Sequence, residues 1–303
     1  MIDTFNLPNS DLKNQVFYTK GSSDWQIWQK PPSAKMVSIL VIGGGGGGGA
    51  GQPGTGSTTR RSGAGGGSSS VTIGMFSATQ LPDTLFIQVG PGGAGGTGTS
   101  NGSSGALSYV SVQPNTTAIN ILLQSGASAA GGGNSGTNSG TAGIAGAVWT
   151  GGILNDLGLA TSTAGQAGTA GVTLGSSTNV TIVGVTTGGA GGGGTNLGTV
   201  FAGGSVIGSG FCPTISGGTG NVNLNGVDGT GGFVSLNTTI NNSTYLPLFF
   251  TGGAGGGASN NVTGGAGGAG GYGSGGGGGG VGVTASSGPG GRGGDGLVII
   301  TCY

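Results

Sequence analysis

Any acid–base or nucleophilic chemistry in this chain has to be built from seven aspartates, two cysteines and a few basic residues, because histidine and glutamate are both missing. Histidine is the usual general base, thiol activator and metal ligand near neutral pH. Without one, Cys212 and Cys302 have no imidazole to draw off a proton. They read as buried small hydrophobes, and a single bridge between them stays open at this level. Asp156 and Asp228 are the pair that could serve as the two carboxylates of a glycosidase, but nothing in their spacing brings them together. No catalytic residue, metal ligand set or cofactor is expected, and the chain reads as a non-enzyme.

Three motifs invite a ligand and are weak on inspection. Residues 90–95 fit Gly-x-Gly-x-x-Gly after a strand, but a dinucleotide site needs a helix to open there and no helical pattern follows. Residues 290–298 fit one copy of a calcium-binding nonapeptide. Such sites need stacked copies that share each ion, and no tandem copy exists, so Asp295 is expected to tie down the turn into the last strand. Arg60-Arg61 is the sole basic pair in a chain of zero net charge. It is expected in a solvated loop, and no nucleic-acid footprint is present.

The aromatic residues are the remaining source of recognition. Trp25 and Trp28 lie near strands and are expected in a β core. Trp149, Phe211, Tyr245, Phe249, Phe250 and Tyr272 lie in or beside the loop-rich, glycine-rich part. Aromatics on loops offer contact area at low entropic cost, which suits a sugar or protein surface. The competing reading, that each fills a gap in a core short of large side chains, carries equal weight.

The elements that must position these residues are strands and glycine. Met36 to Ile42 is aliphatic and β-branched throughout and runs straight into seven glycines at 43–49. Further strands are expected at Gln15 to Tyr18, Trp25 to Trp28, Ser70 to Phe76, Thr84 to Val89, Ala106 to Val112, Ala118 to Leu123 and Leu297 to Thr301. Shorter candidates are Val180 to Val185, Val222 to Leu224, Phe233 to Leu236 and Tyr245 to Phe250. The last strand is too apolar for an edge and is expected to pair with Met36 to Ile42.

Glycine supplies 83 of 303 residues, yet a third of the chain is apolar and only 5% is charged, which argues for an ordered protein rather than a linker. No sustained Gly-X-Y register exists, which excludes collagen. Residues 264–271 repeat as Gly-Gly-Ala, the three-residue turn of a polyproline-II-type helix. Such helices have no internal hydrogen bonds, so their amides must be met by neighbouring helices. The expected fold is all-β: a jelly-roll-like, glycine-rich β-sandwich with packed polyglycine helices and almost no α-helix. No apolar run is long enough for a membrane helix, and no secretory signal is visible.

The opening and closing residues carry a resemblance. Phe17-Tyr-Thr-Lys-Gly21, Trp25 to Trp28, Pro31 and the strand at 37–42 with its glycines resemble the start of the glycine-rich domain of phage tail-fibre and related virion proteins. Residues 293–303 resemble its usual close. The chain is also similar to the tail-fibre adhesins of T-even-type phages, whose polyglycine helices form a packed sandwich with receptor-binding loops at one end. The resemblance implies a virion surface protein, made in the host cytoplasm, often at a fibre tip.

The polar segment 1–14 is read as an attachment arm to other virion proteins, and 15–303 as one domain. That domain has a strand-rich part at 15–133, a loop-rich insertion at 144–250, and polyglycine tracts with the closing strand at 251–303. The implied partner is a bacterial surface polysaccharide or outer-membrane protein, contacted by a monomer or a homo-oligomer such as a trimer. A capsid decoration or head-fibre protein is the alternative. An ice-binding protein is a third reading, weakened by the lack of a long regular threonine array.

Overall fold

The computed structural model describes residues 14–54, 59–126, 140–150, 153–172, 175–208, 212–235, 239–240, 244–245, 248–283 and 286–303. Nearly all of the attachment arm therefore lies outside the described residues, as does Phe211.

Nine strands build a sandwich of two antiparallel sheets. In chain order they are β1 (Asn14–Tyr18), β2 (Gln26–Gln29), β3 (Met36–Ile42), β4 (Val71–Ser77), β5 (Thr84–Gln88), β6 (Tyr109–Ser111), β7 (Ile121–Gln124), β8 (Ala160–Thr163) and β9 (Leu297–Cys302). The five-stranded sheet runs β1-β9-β3-β4-β8, and the four-stranded sheet runs β2-β5-β6-β7. Between them Trp28, Val37, Ile39, Val41, Phe76, Leu85, Ile87, Val110, Leu123, Val298 and Ile300 form one dry core. The closing strand pairs with β3 as expected, Leu297 opposite Ile42 and Cys302 opposite Val37. β1 takes its other edge, so β9 lies inside the sheet.

Both faces of β9 are buried. One face points into the sandwich. On the other, Leu297 and Ile299 join Ile42, Val71 and Phe250 in a second cluster. This explains why β3 and β9 are apolar on both faces, whereas β4 leaves Ile73 and Met75 on an exposed outer surface. Helix is confined to a single α-turn, Ile153–Asp156, and two short 3₁₀ turns among the described residues.

The glycine tracts leave the strands and pack side by side. From β3, residues 43–52 run outward with a strict period of three. Gly44, Gly47 and Ala50 donate to Ala106, Ser103 and Ser100; Gly45, Gly48 and Gly51 donate to Gly294, Gly291 and Gly288; Gly46, Gly49 and Gln52 donate to Gly67, Ala64 and Arg61. Three residues per turn, with each successive amide meeting a different neighbour, is the polyproline-II-type helix of polyglycine.

The tract 274–282 sits at the centre of the array. Its amides donate to tracts 187–193, 43–52 and 265–268. Its carbonyls accept from tracts 253–259, 63–66 and 288–294, and these bonds span 2.7–3.3 Å. Three donor faces alternate with three acceptor faces, so one helix is held by six others and no central amide is orphaned.

Glycine is required by proximity. A Cβ on Gly277 would lie 2.0 Å from the carbonyl oxygen of Ala254, and one on Gly48 would lie 2.0 Å from that of Gly277. In the repeat at 264–271, the two glycines of each triplet face neighbouring tracts, while Ala266 and Ala269 occupy the outer side, where a methyl group has room.

Several expectations change. Val222 to Leu224 is not a strand: Asn223 takes φ 63, which turns the chain there. Ala106 to Val112 shortens to β6 because residues 100–106 are committed to the bundle. Arg60 is not in a solvated loop; it is the largest fully buried side chain of the described protein, 1% exposed.

Candidate functional site

The direction of each tract defines the two ends of the molecule. Residues 43–52, 188–193, 253–259 and 274–282 all run parallel, away from the sandwich. The turns that follow them therefore gather at the far end. Asn14 pairs with Cys302, whose strand leads away from the bundle, so the chain enters the sandwich at the opposite end.

At the far end three turns lock together. The first is a hairpin, Thr195–Asn196 paired with Thr199–Val200. Its tip is Leu197-Gly198 at φ 45 and φ 92, the left-handed pair that a tight two-residue hairpin requires. The second turn is 221–226 and the third 259–263. Asn260 Nδ2 donates to the Gly198 carbonyl at 3.1 Å, and the Asn223 amide donates to Asn260 Oδ1 at 3.0 Å. Asn261 Nδ2 donates to Asn223 Oδ1. Ser259 Oγ donates to the Leu224 carbonyl at 2.7 Å and accepts from the Val262 amide at 3.0 Å. Asn221 Nδ2 closes its own turn on the Asn225 carbonyl at 2.8 Å.

This amide lattice holds an apolar group outward. Leu197 is 77% exposed and Leu224 66%, and Val222 and Val262, on the second and third turns, are exposed as well. Leu197 and Asn223 are also the two non-glycine residues with left-handed backbone among the described residues. For a leucine that conformation is strained, and strain of this kind collects where a surface has a task. The three turns contain no ionisable side chain. The turns thus present methyl groups ringed by amides, with the partly exposed Arg61 on the segment that bonds the first of them. This surface suits a sugar face or a protein patch.

The sequence-selected aromatics lie elsewhere. Phe250 is 0% exposed, with its ring edge-on to Tyr272 at 5.5 Å, and Tyr272 is half-buried against the cluster under β9. Phe249 is buried and stacked on Phe233 at 5.5 Å. Trp149 packs on the sandwich core, and its amide donates to Ser162 Oγ at 2.9 Å. These rings fill gaps beneath and beside the five-stranded sheet, as a glycine-rich interior demands. Tyr245 lies in the short strand Thr244–Tyr245, and its side chain is outside the described residues. Leu197, Val222, Leu224 and Val262 were missed because isolated aliphatics carry no motif. The usable signal was the turn chemistry around them, Leu-Gly at 197–198 and the asparagines at 221, 223, 225, 260 and 261.

The other sequence candidates have structural partners. Residues 90–96 enter the bundle, where Gly93 and Gly96 donate to Gly45 and Gly48. Asp295 Oδ1 accepts from the Gly92 amide and pairs with Arg292. Asp228 accepts from the Ala266 amide at 2.7 Å on the outer surface of the bundle, while Asp156 ends the α-turn beside β8. Cys212 and Cys302 are both free and buried, and burial pushes each thiol above its ordinary pKa. Among the described residues no helix is long and apolar enough to cross a membrane.

Fold and surface together define an all-β, glycine-rich scaffold that ends in a cluster of hydrogen-bonded turns. The chain belongs to the glycine-rich domain family, whose model matches residues 19–303. No curated protein matches it.

Proposed function

We propose that this chain is a non-enzymatic structural protein of a bacteriophage particle, a tail-fibre or fibre-tip subunit that touches the host surface. One observation carries the reading: a side-chain-poor bundle, hydrogen-bonded through its interior, holds strained, exposed apolar residues at the end opposite the chain's entry into the sandwich. A scaffold of this kind contributes stiffness while its turns contribute recognition. The partner is a bacterial surface polysaccharide or an outer-membrane protein. The arm at 1–14 joins the subunit to other virion proteins, as a monomer or a homo-oligomer such as a trimer.

The test is the pair Leu197→Ser with Leu224→Ser. Both side chains are exposed, so the protein should fold and assemble normally while adsorption of particles to cells drops at least tenfold. Normal adsorption would overturn the reading. Deleting residues 1–13 should leave a folded protein that no longer assembles. The position of the subunit in an electron-microscopy map of the particle separates a fibre tip from the alternative, a head fibre or capsid decoration.

A further inference from the structure

Arg60 supplies an observation that the proposed function does not use. Its backbone bonds in both directions with Thr195, each at 3.1 Å. Its Nη1 donates to the carbonyls of Gly54, at 3.2 Å, and Gly282. Residues 53–54 and 282–283 lie side by side as a parallel pair at the ends of two glycine tracts. One side of the guanidinium thus caps carbonyls that the period-three lattice can no longer reach.

The other side is unmet. Nε and Nη2 are buried and have no hydrogen-bond partner among the described residues. These two atoms form one edge of the guanidinium fork, the edge that grips an anion with two parallel N–H groups. The described aspartates are placed elsewhere. Asp24 bonds Ser22, Asp83 pairs with Lys30, Asp228 bonds Ala266 and Asp295 pairs with Arg292, while Asp156 is exposed on its α-turn. The flanking segments 55–58 and 284–285 contain no acidic residue. A guanidinium does not shed its charge inside a protein, and an uncompensated buried charge is strongly destabilising.

We infer that the Nε–Nη2 edge of Arg60 binds a simple inorganic anion, for which chloride is the probe, and that this anion serves as the counter-ion at the far end of the bundle.

The experiment compares thermal melting of the full chain in sodium chloride and in sodium gluconate at equal ionic strength. Tm should be higher in chloride, by several degrees, and the gain should saturate with concentration. Equal melting in the two salts overturns the inference. Arg60→Gln, which is close in size and uncharged, should lose the chloride dependence; a dependence that persists in this variant also overturns it. Should Arg60→Gln fail to fold, bromide-soaked crystals of the wild-type protein decide the matter. An anomalous peak within hydrogen-bonding reach of Nε and Nη2 supports the site, and its absence there rejects it.

Discussion

The carboxylate of Asp295 accepts the amide N–H of Gly92 at 2.8 Å, across 203 residues of sequence. It thereby clips the tract that follows β5 to the tract that precedes β9, where both emerge from the sandwich. The bond is charge-assisted and partly buried, so its removal costs more than its exposed ion pair with Arg292. Asp295→Ala is expected to lower unfolding stability by about 2 kcal/mol, and Asp295→Asn, which keeps an acceptor, by roughly half of that. Denaturant titration of the three proteins measures both values. Equal stability of the alanine variant and the wild type would show that the clip contributes nothing.

The triplet at 264–271 provides an internal control for tract packing. A Cβ at Gly267 would lie 2.0 Å from the carbonyl oxygen of Gly277, a backbone atom with nowhere to move. Ala266, one residue earlier, already carries a methyl group and is only half-buried. Gly267→Val should prevent folding or lower Tm by more than ten degrees, a loss of at least about 4 kcal/mol. Ala266→Val should stay within about 1 kcal/mol of the wild type. Wild-type melting of Gly267→Val would return the tract to the status of a flexible linker.

Amide hydrogen exchange reads the same lattice without mutation. Residues 275–280 belong to no strand or helix, yet each of their amides donates to a carbonyl of another tract. They should exchange as slowly as the amides of β3 and β9, close to the limit set by global unfolding. Exchange at the rate of an exposed loop, within seconds at neutral pH, would contradict the six-neighbour arrangement.

Stability should respond to alkali rather than to mild acid. No histidine is present to titrate near pH 6.5. Burial raises the pKa of Cys302, Cys212, Tyr18 and Tyr109. For each, the unfolded chain releases its proton first as the pH rises, so the unfolded state binds fewer protons and folding stability falls. The contribution is fully present below about pH 8 and is lost through the thiol range near 8.5 and then the phenol range near 10. Denaturant midpoints measured from pH 6 to 10.5 should be flat at first and then decline. A midpoint that rises above pH 9 would refute the assignment. The loop cluster has no titratable side chain, so on this protein's side adsorption should not vary between pH 6 and 8.

Local rules carried much of the fold. The bounds of β3 were legible because a run of β-branched and aliphatic residues meets glycine abruptly at residue 43. β9 was legible as an interior partner because its composition forbids an exposed edge. The triplet spacing at 264–271 announced a three-residue turn, since that period is written along a single segment. Neighbour choice was not so written. A glycine tract has no side chains with which to distinguish one partner from another, so the six tracts around 274–282 are selected by strand pairing, turn lengths and direction, which exist only in the folded chain. The same holds for Arg60, read as solvated from its sequence and buried because two tract ends converge on it. It holds for Phe249 and Phe250 too, which the tertiary structure placed inside, while Leu197 and Leu224 were placed outside: burial depends on what a residue faces, and that is decided by packing across long sequence separations rather than by residue type.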